Sequence, residues 1–324
     1  MVPKTATSLS HPNIALIKYW GNLDNTLRIP ANNSLSMTLG GLETRTTVSF
    51  DPDLDRDEIE IDGREAEPLA YDRVVNHLDK IRALADIKTR SSVISHNSFP
   101  AGTGIASSAS GFAALTVAAS SAAELSLSPK QLSILARHGS GSAARSVLGG
   151  FVELHSGPSS DDSYAKQIAS PDHWNLVDLI AVISSTPKEK GSTYGHTIAS
   201  TSPMQAARVE DTPRRIELCR KAIIDRDFPA LAQIVELDSN MMHAVMQTST
   251  PPLLYIDAAS IDVIKKIEVW RREGLQVCYT LDAGPNVHCL CTHSSAPEVI
   301  ERLMKIPEVL HIYQSGPGGG AVLE

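Results

Sequence analysis

Nine of the fourteen residues from Phe99 to Phe112, FPAGTGIASSASGF, are Gly, Ala or Ser, and none is charged. Backbone N–H groups without bulky neighbours can approach oxygens closely, and a helix start adds partial positive charge. With the Ser107 and Ser108 hydroxyls as donors, the stretch suits a phosphate, Gly102, Thr103, Gly104 and Ala106 supplying bare backbone. No Lys follows the glycines, so it is not a Walker A loop, and a Gly/Ala helix packed tightly on a neighbour has the same letters. A second cluster, RHGSGSAARSVLGG (Arg137 to Gly150), sets Ser140 and Ser142 ahead of Arg145. Two hydroxyls and a guanidinium at a helix start suit a carboxylate or a phosphate; an N-capped surface helix with a solvated Arg is the plain alternative. Lys18, in NIALIKYWGN, ends an apolar run, where a lone Lys is usually solvated. Asp282, in TLDAGPNVH, precedes an Ala-Gly-Pro turn. An Asp there commonly just forms the turn, whereas a strand-end carboxylate facing a cation is a candidate base.

The elements that must position these groups follow from pattern. Short β-type runs come first: IALIKYW, TTVSF (Thr46 to Phe50) and EIEID (Glu58 to Asp62). Pro68 to Ala85 has helical spacing, and SSVISHN reads as a strand leading into the bare stretch. Ser107 to Leu125 and Ser128 to His138 are predicted helices, the second with Ser128 as N-cap before Pro129. GGFVEL and DLIAVIS return to strand. Helical patterns then dominate, over Pro203 to Arg226, Phe228 to Met246 and Ala258 to Glu273. LQVCYT, NVHCLCT, a helix near Ala296 to Lys305 and VLHIYQ follow, and the ending SGPGGGAVLE is turn-rich, suited to closing a loop or fraying. The reading is α+β in two lobes, residues 1–186 and 187–324.

At 324 residues the chain is long enough for two domains with a shared interface. A net charge of −8 argues against general nucleic-acid binding. An anionic ligand would need cations placed locally against that global field. Cys219, Cys278, Cys289 and Cys291 have no metal or disulfide spacing and read as small core hydrophobes; Cys289 and Cys291 share a strand face. Reduced thiols suit the cytoplasm. No segment reads as a signal peptide or as long enough to span a membrane.

Taken together, IALIKYWG, FPAGTGIASSASGFAAL, GSGSAARSVLGGFVE and DAGPN resemble, in order and spacing, the signature segments of the mevalonate diphosphate decarboxylase family, within the galacto-, homoserine, mevalonate and phosphomevalonate kinase superfamily. The match runs from Asn13 to the Gly-rich tail. The resemblance implies a two-lobed fold with its active site in the inter-lobe cleft, a loop that wraps ATP phosphates, and ATP- and Mg²⁺-dependent decarboxylation of a 5-phosphorylated mevalonate, commonly in a homodimer. It implies Asp282 at the substrate 3-hydroxyl, Lys18 beside it and Arg145 on the C1 carboxylate. Ser140 and Ser142 would contact substrate, Tyr19 would lie near the 5-phosphate end, and Ser107 and Ser108 would be phosphate-loop hydroxyls and the metal's candidate ligands.

The chain departs from the family pattern in two places. KYWGN has Asn22 where many members have a lysine expected on the terminal phosphate. The SS[TR]xGM segment appears as GSTYGHT, with Gly191, Ser192, Thr193 and His196. Fewer cations at the 5-end favour a monophosphate held by Asn22 and His196, hence mevalonate 5-phosphate converted to isopentenyl phosphate. Lys188 and Lys190 could compensate for a diphosphate, so mevalonate 5-diphosphate is the alternative substrate. Two further alternatives are a mevalonate 3-kinase that stops before decarboxylation and a catalytically silent metabolite sensor.

Overall fold

The computed structural model describes residues 4–99, 107–184 and 190–324. The chain opens with strands β1 (Lys4–Ser10), β2 (Asn13–Ile17), β3 (Asn22–Asp24), β4 (Ile29–Pro30), β5 (Ser34–Gly40), β6 (Thr44–Asp51), β7 (Glu58–Ile61) and β8 (Arg64–Glu65). Helix α1 (Pro68–Ala85), strand β9 (Arg90–Asn97) and helices α2 (Ser107–Ala122), α3 (Pro129–Gly139) and α4 (Ala143–Ser146) follow. Strands β10 (Phe151–Leu154), β11 (Ala165–Ala169) and β12 (Leu176–Val182) lead to helices α5 (Ser192–Ile198), α6 (Gln205–Glu210), α7 (Thr212–Asp225), α8 (Phe228–Thr248) and α9 (Ala258–Arg272). Strands β13 (Val277–Thr280) and β14 (Val287–Thr292), helix α10 (Ala296–Leu303), and strands β15 (His311–Pro317) and β16 (Val322–Leu323) complete an α+β order.

One sheet runs β16-β1-β6-β9-β7-β8 and carries α2 on one face. The helix can lie close because its buried side carries Ala109, Ala113, Ala118 and Ala119, the last three packed with Val48, Val93 and Leu78. The packed-helix reading of the bare stretch therefore holds for its second half. Helix α3 starts as its sequence predicts: Ser128 and Gln131 form a reciprocal capping box, with Pro129 just inside.

The second sheet runs β11-β10-β5-β15-β12-β14-β13, with β2 added beside β5. It is covered on both faces, and its strand β12 reads LVDLIAV, an apolar run broken only by Asp178, rather than an alternation. In β12, Leu176 and Ile180 enter one core with α7 and α8. Val177, Leu179 and Ala181 enter the other, with Ile267 and Trp270 of α9 and Val299 of α10. Cys289 and Cys291 share this second core, and all four cysteines are buried and free, as small hydrophobes would be. β12 pairs with β14 and β15, and β15 also pairs with β5, so early and late parts of the chain share one sheet. The anticipated boundary at 186/187 falls outside the described residues.

The single helix anticipated over Pro203 to Arg226 is two. Pro213 has no N–H to continue the ladder, and Asp211 ends α6 while accepting bonds from Arg214 and Arg215 at the start of α7. The Gly-rich ending closes rather than frays: Gly318 N donates to Thr38 O (2.9 Å), and Val322 and Leu323 pair with Leu9 and Ser8. Strands β1 and β5 were not anticipated. KTATSLS and SLSMTLG are hydroxyl-rich, and only the pairing on both their edges identifies them.

Candidate active site

A cavity of about 340 Å³ is walled by β2, α1, the start of α2, the α3–α4 turn, α5, α8 and the loop after β13. Its wall brings together Lys18, Tyr19, Ser107, Ser108, Ser140, Ser142, Arg145, Ser192, Thr193, His196 and Asp282, so almost every described candidate converges on one space. Gly102, Thr103, Gly104 and Ala106 lie outside the described residues, as does Lys188.

The centre of the site is an ion pair: Lys18 Nζ donates to Asp282 Oδ1 at 2.7 Å, across 264 residues of sequence. Lys18 is 1% exposed, Asp282 28%. The Lys18 backbone is gripped at both ends. Its N–H donates to Asp238 Oδ2 (2.6 Å), and its carbonyl accepts from Arg208 Nη2 (2.8 Å) and Asn32 Nδ2 (2.9 Å). Asp238 also takes Arg215 Nε at 2.7 Å, which satisfies a carboxylate that is otherwise fully buried. Just before this point a register shift in the β2–β5 pairing re-aims the chain into the cavity.

Helix α8 sets the other half of the pair as well. Ser239 Oγ accepts the Leu281 N–H (3.0 Å), and the His243 ring hydrogen-bonds the Leu281 backbone. Asn286 Oδ1 accepts from Ile183 N (2.8 Å) and Ser184 N (3.1 Å), which closes the loop behind Asp282. One helix therefore fixes both members of a pair from opposite ends of the chain. None of Asp238, Ser239 and His243 was anticipated; the SNMMH run of a buried helix carries no signal that distinguishes it from core.

Arg145 is buried, and its donors go to neutral oxygens: Nε and Nη2 to Asn13 Oδ1 (3.2 and 3.0 Å), Nη1 to Ser34 Oγ (2.6 Å). Burial pushes the guanidinium down to about 10, with Asp282 opposing, so it is still a cation at neutral pH. A chain of hydroxyls runs beside it, Ser108 to Ser140 (3.1 Å) and Ser140 to Ser142 (3.2 Å). Tyr19 wedges between Gly141 and His196; a Cβ at Gly141 would come within 2.3 Å of its ring. Burial raises its phenol to about 12, so it stays a neutral donor, and it donates to Asn22 Oδ1.

Two of the candidates proposed for the 5-end behave differently from the sequence expectation. His196 lines the cavity but stacks on Tyr19 and Trp20, with centroids 4.2 and 4.6 Å apart, and accepts the Gly21 N–H. Burial lowers it to about 3, so at neutral pH it brings no positive charge. Asn22 is not part of the described wall, and its amide is engaged with Tyr19 and Asn25. Two arginines that the sequence reading passed over take part instead, Arg28 and Arg73. Single arginines on a short ribbon and on an amphipathic helix look solvated until the fold turns them inward. The described wall thus carries four cations, Lys18, Arg28, Arg73 and Arg145, against one carboxylate, in a chain of net charge −8.

Arg73, Ser107 and Ser108 also form part of a second cavity of about 180 Å³, lined by Ile59, Ile61, Val74, Val93, Phe112 and Leu115. A polar, cationic space and an apolar slot thus share one wall of hydroxyls and a guanidinium. No group of three or more His, Cys, Asp or Glu among the described residues is arranged to hold a metal. The Ser107 and Ser108 hydroxyls are hard oxygen donors at the shared wall, which fits an ion such as Mg²⁺ that is held chiefly by phosphates and water.

The profile of the Diphosphomevalonate decarboxylase-like N-terminal domain matches residues 10–165, and that of the Mevalonate 5-diphosphate decarboxylase C-terminal domain matches residues 178–315. The chain belongs to the diphosphomevalonate decarboxylase family. It is 38% identical to the diphosphomevalonate decarboxylase of Candida albicans over 90% of this chain and 86% of that one. It is 36% identical to the Homo sapiens enzyme of the same name, over 99% of this chain and 84% of that one. The fold superposes on the crystal structure of mevalonate diphosphate decarboxylase from Staphylococcus aureus with a TM-score of 0.95 at 35% identity, covering 100% of this chain and 98% of the other. It also superposes on MDDEF in complex with MVAPP, AMPPCP and magnesium, with a TM-score of 0.93 at 32% identity, covering 100% and 99%. The family's fold and the convergence of Lys18, Arg145 and Asp282 on one cavity therefore agree.

Proposed function

We propose that the chain decarboxylates mevalonate 5-diphosphate at the expense of ATP, giving isopentenyl diphosphate. As a member of its family it is an ATP-dependent carboxy-lyase, and the question the site bears on is the substrate. The supporting observation is the set of four cations on the cavity wall, two of them, Arg28 and Arg73, in addition to Lys18 and Arg145. The monophosphate preference anticipated from Asn22 and His196 rested on a shortage of positive charge at the 5-end that Arg28 offsets, while Arg73, shared with the second cavity, serves the nucleotide. The names of the relatives point the same way.

In this reading Arg145 holds the C1 carboxylate, its planar fork fixed by Asn13 and Ser34. Asp282 accepts or orients the 3-hydroxyl proton, and Lys18 holds the carboxylate in place. ATP with Mg²⁺ supplies the phosphoryl group that converts a poor leaving group into a good one. The Ser107 and Ser108 hydroxyls and Arg73 donate to phosphate oxygens at the wall between the two cavities, where charge moves. The apolar slot between Ile59, Val74, Val93 and Phe112 takes the adenine ring. As C3 loses its oxygen, Arg145 keeps the carboxylate aligned for elimination, and Ser140 and Ser142 support it.

Steady-state assays with both substrates test the reading through ATP-dependent CO₂ release. The expected result is a kcat/KM at least about tenfold higher for the diphosphate, the scale of one charged hydrogen bond. A higher value for the monophosphate would overturn the choice of substrate, and ADP formation without CO₂ would favour a 3-kinase.

A further inference from the structure

We infer that Arg28 is the residue that grips the terminal phosphate of the 5-diphosphate and so sets the preference for two phosphates over one; this rests on the substrate reading above. Arg28 follows the tight turn of the β3–β4 ribbon, where Asn22 pairs with Pro30 and Asp24 with Ile29. Its side chain lines the cavity. The residue has φ of 50°, in the left-handed region that non-glycine residues rarely occupy, so its direction is set by its surroundings. Those surroundings are specific. Asp24 Oδ1 accepts the Leu27 N–H at 2.7 Å, and the buried Arg137 donates to the Leu27 carbonyl. Arg137 is itself tied to Ser160 through Oγ (2.8 Å) and the carbonyl (3.1 Å), so the ribbon tip is fastened to the 160–163 turn.

Position along the cavity assigns the ligand atom. Tyr19 bridges the two sides: its ring lies against Gly141, in the turn before the helix that bears Arg145, and its hydroxyl donates to Asn22 on the ribbon that bears Arg28. Arg28 and Arg145 both act electrostatically on it. One side, Arg145 with Lys18 and Asp282, suits the carboxylate and the reacting hydroxyl. The other, Arg28, suits the far anionic end of the same molecule. Among the described residues no carboxylate forms an ion pair with Arg28. Asn22, across the ribbon, has its amide engaged with Tyr19 and Asn25.

The test is calorimetric binding of each substrate without ATP, together with steady-state kinetics, for the wild type, Arg28→Ala, Arg28→Lys and Asn22→Lys/Arg28→Ala, with circular dichroism to verify folding. Arg28→Ala is expected to weaken mevalonate 5-diphosphate binding by about tenfold to hundredfold with kcat within about threefold, while mevalonate 5-phosphate binding changes by less than about threefold. Arg28→Lys should keep part of the grip, and Asn22→Lys should restore much of it by returning a cation from the opposite strand. Equal losses for both substrates, or an unchanged diphosphate affinity in a folded Arg28→Ala protein, would overturn the inference while leaving the reaction itself in place. A wild type that does not turn over the diphosphate would instead overturn the substrate reading on which it rests.

Discussion

At the scale of single residues, the site is built around an ammonium and a carboxylate that neither solvent nor sequence proximity brings together. Asp282 accepts from Lys18 and acts electrostatically on Arg145, so its carboxylate is fixed beside two cations on the cavity wall. Asp282→Asn keeps the shape and removes the acceptor charge. Turnover is expected to fall about a thousandfold or more, the upper range for a positioned base, with ATP affinity nearly unchanged; undiminished kcat would remove Asp282 from the chemistry. These residues were legible in the sequence because Lys18, Arg145 and Asp282 each sit in a distinctive local pattern. Arg28, Arg73 and Asp238 were not, since a lone charge on a ribbon or helix has no local mark of turning inward, and only long-range packing decides it. His196 was legible as part of the wall but not as uncharged, because its state is set by the Tyr19 and Trp20 rings and the Gly21 N–H.

At the scale of elements, small residues do their work by what they leave room for. Gly141, between Ser140 and Ser142, lets the Tyr19 ring lie against the backbone, and a methyl there would overlap the ring at 2.3 Å. Gly141→Ala should displace Tyr19 and lower kcat/KM about tenfold to hundredfold, with far-UV circular dichroism unchanged; full activity would mean the ring's position is immaterial. Helix boundaries were legible wherever capping chemistry is local, as at Ser128 and Pro129, and α1 spans the residues its periodicity predicts. The break between α6 and α7 needed Pro213 to be weighted above the apolar pattern. Strand β5 escaped because its alternating hydroxyls, Ser34, Ser36 and Thr38, are buried rather than in water, Ser34 accepting from Arg145 and Thr38 donating to the Leu148 carbonyl.

At the scale of the whole molecule, several histidines are buried without charge. His77 is lowered from its ordinary 6.5 to about 3, His196 to about 3 and His243 to about 4, in each case chiefly by burial. Below pH 6.5 the unfolded chain takes up protons that the native chain refuses, so unfolding is favoured progressively as pH falls from there toward 3 to 4. Each such proton contributes about 1.4 kcal/mol per pH unit within that window. Urea unfolding at pH 7.5 and pH 5 should therefore show a clear drop in midpoint at the lower pH, and coincident curves would mean that these rings are solvated. The α+β fold class was legible, but the sheet linking β5 to β15 was not, because no local pattern records a pairing across so much chain.

The Gly-rich ending reaches further than its own strand. Gly150 N donates to Gly318 O at 2.8 Å, and Ala321 N reaches Ser146 O and Val147 O, both at 3.2 Å, directly behind the short helix that bears Arg145. Added methyls at Gly149 or Gly320 would meet backbone at 2.5 Å, so this seam tolerates no bulk. The Arg145 helix is thus braced by residues more than 170 positions further along the chain, which are made well after it. Until that stretch has docked, the short helix lacks the backbone partners that hold it from behind.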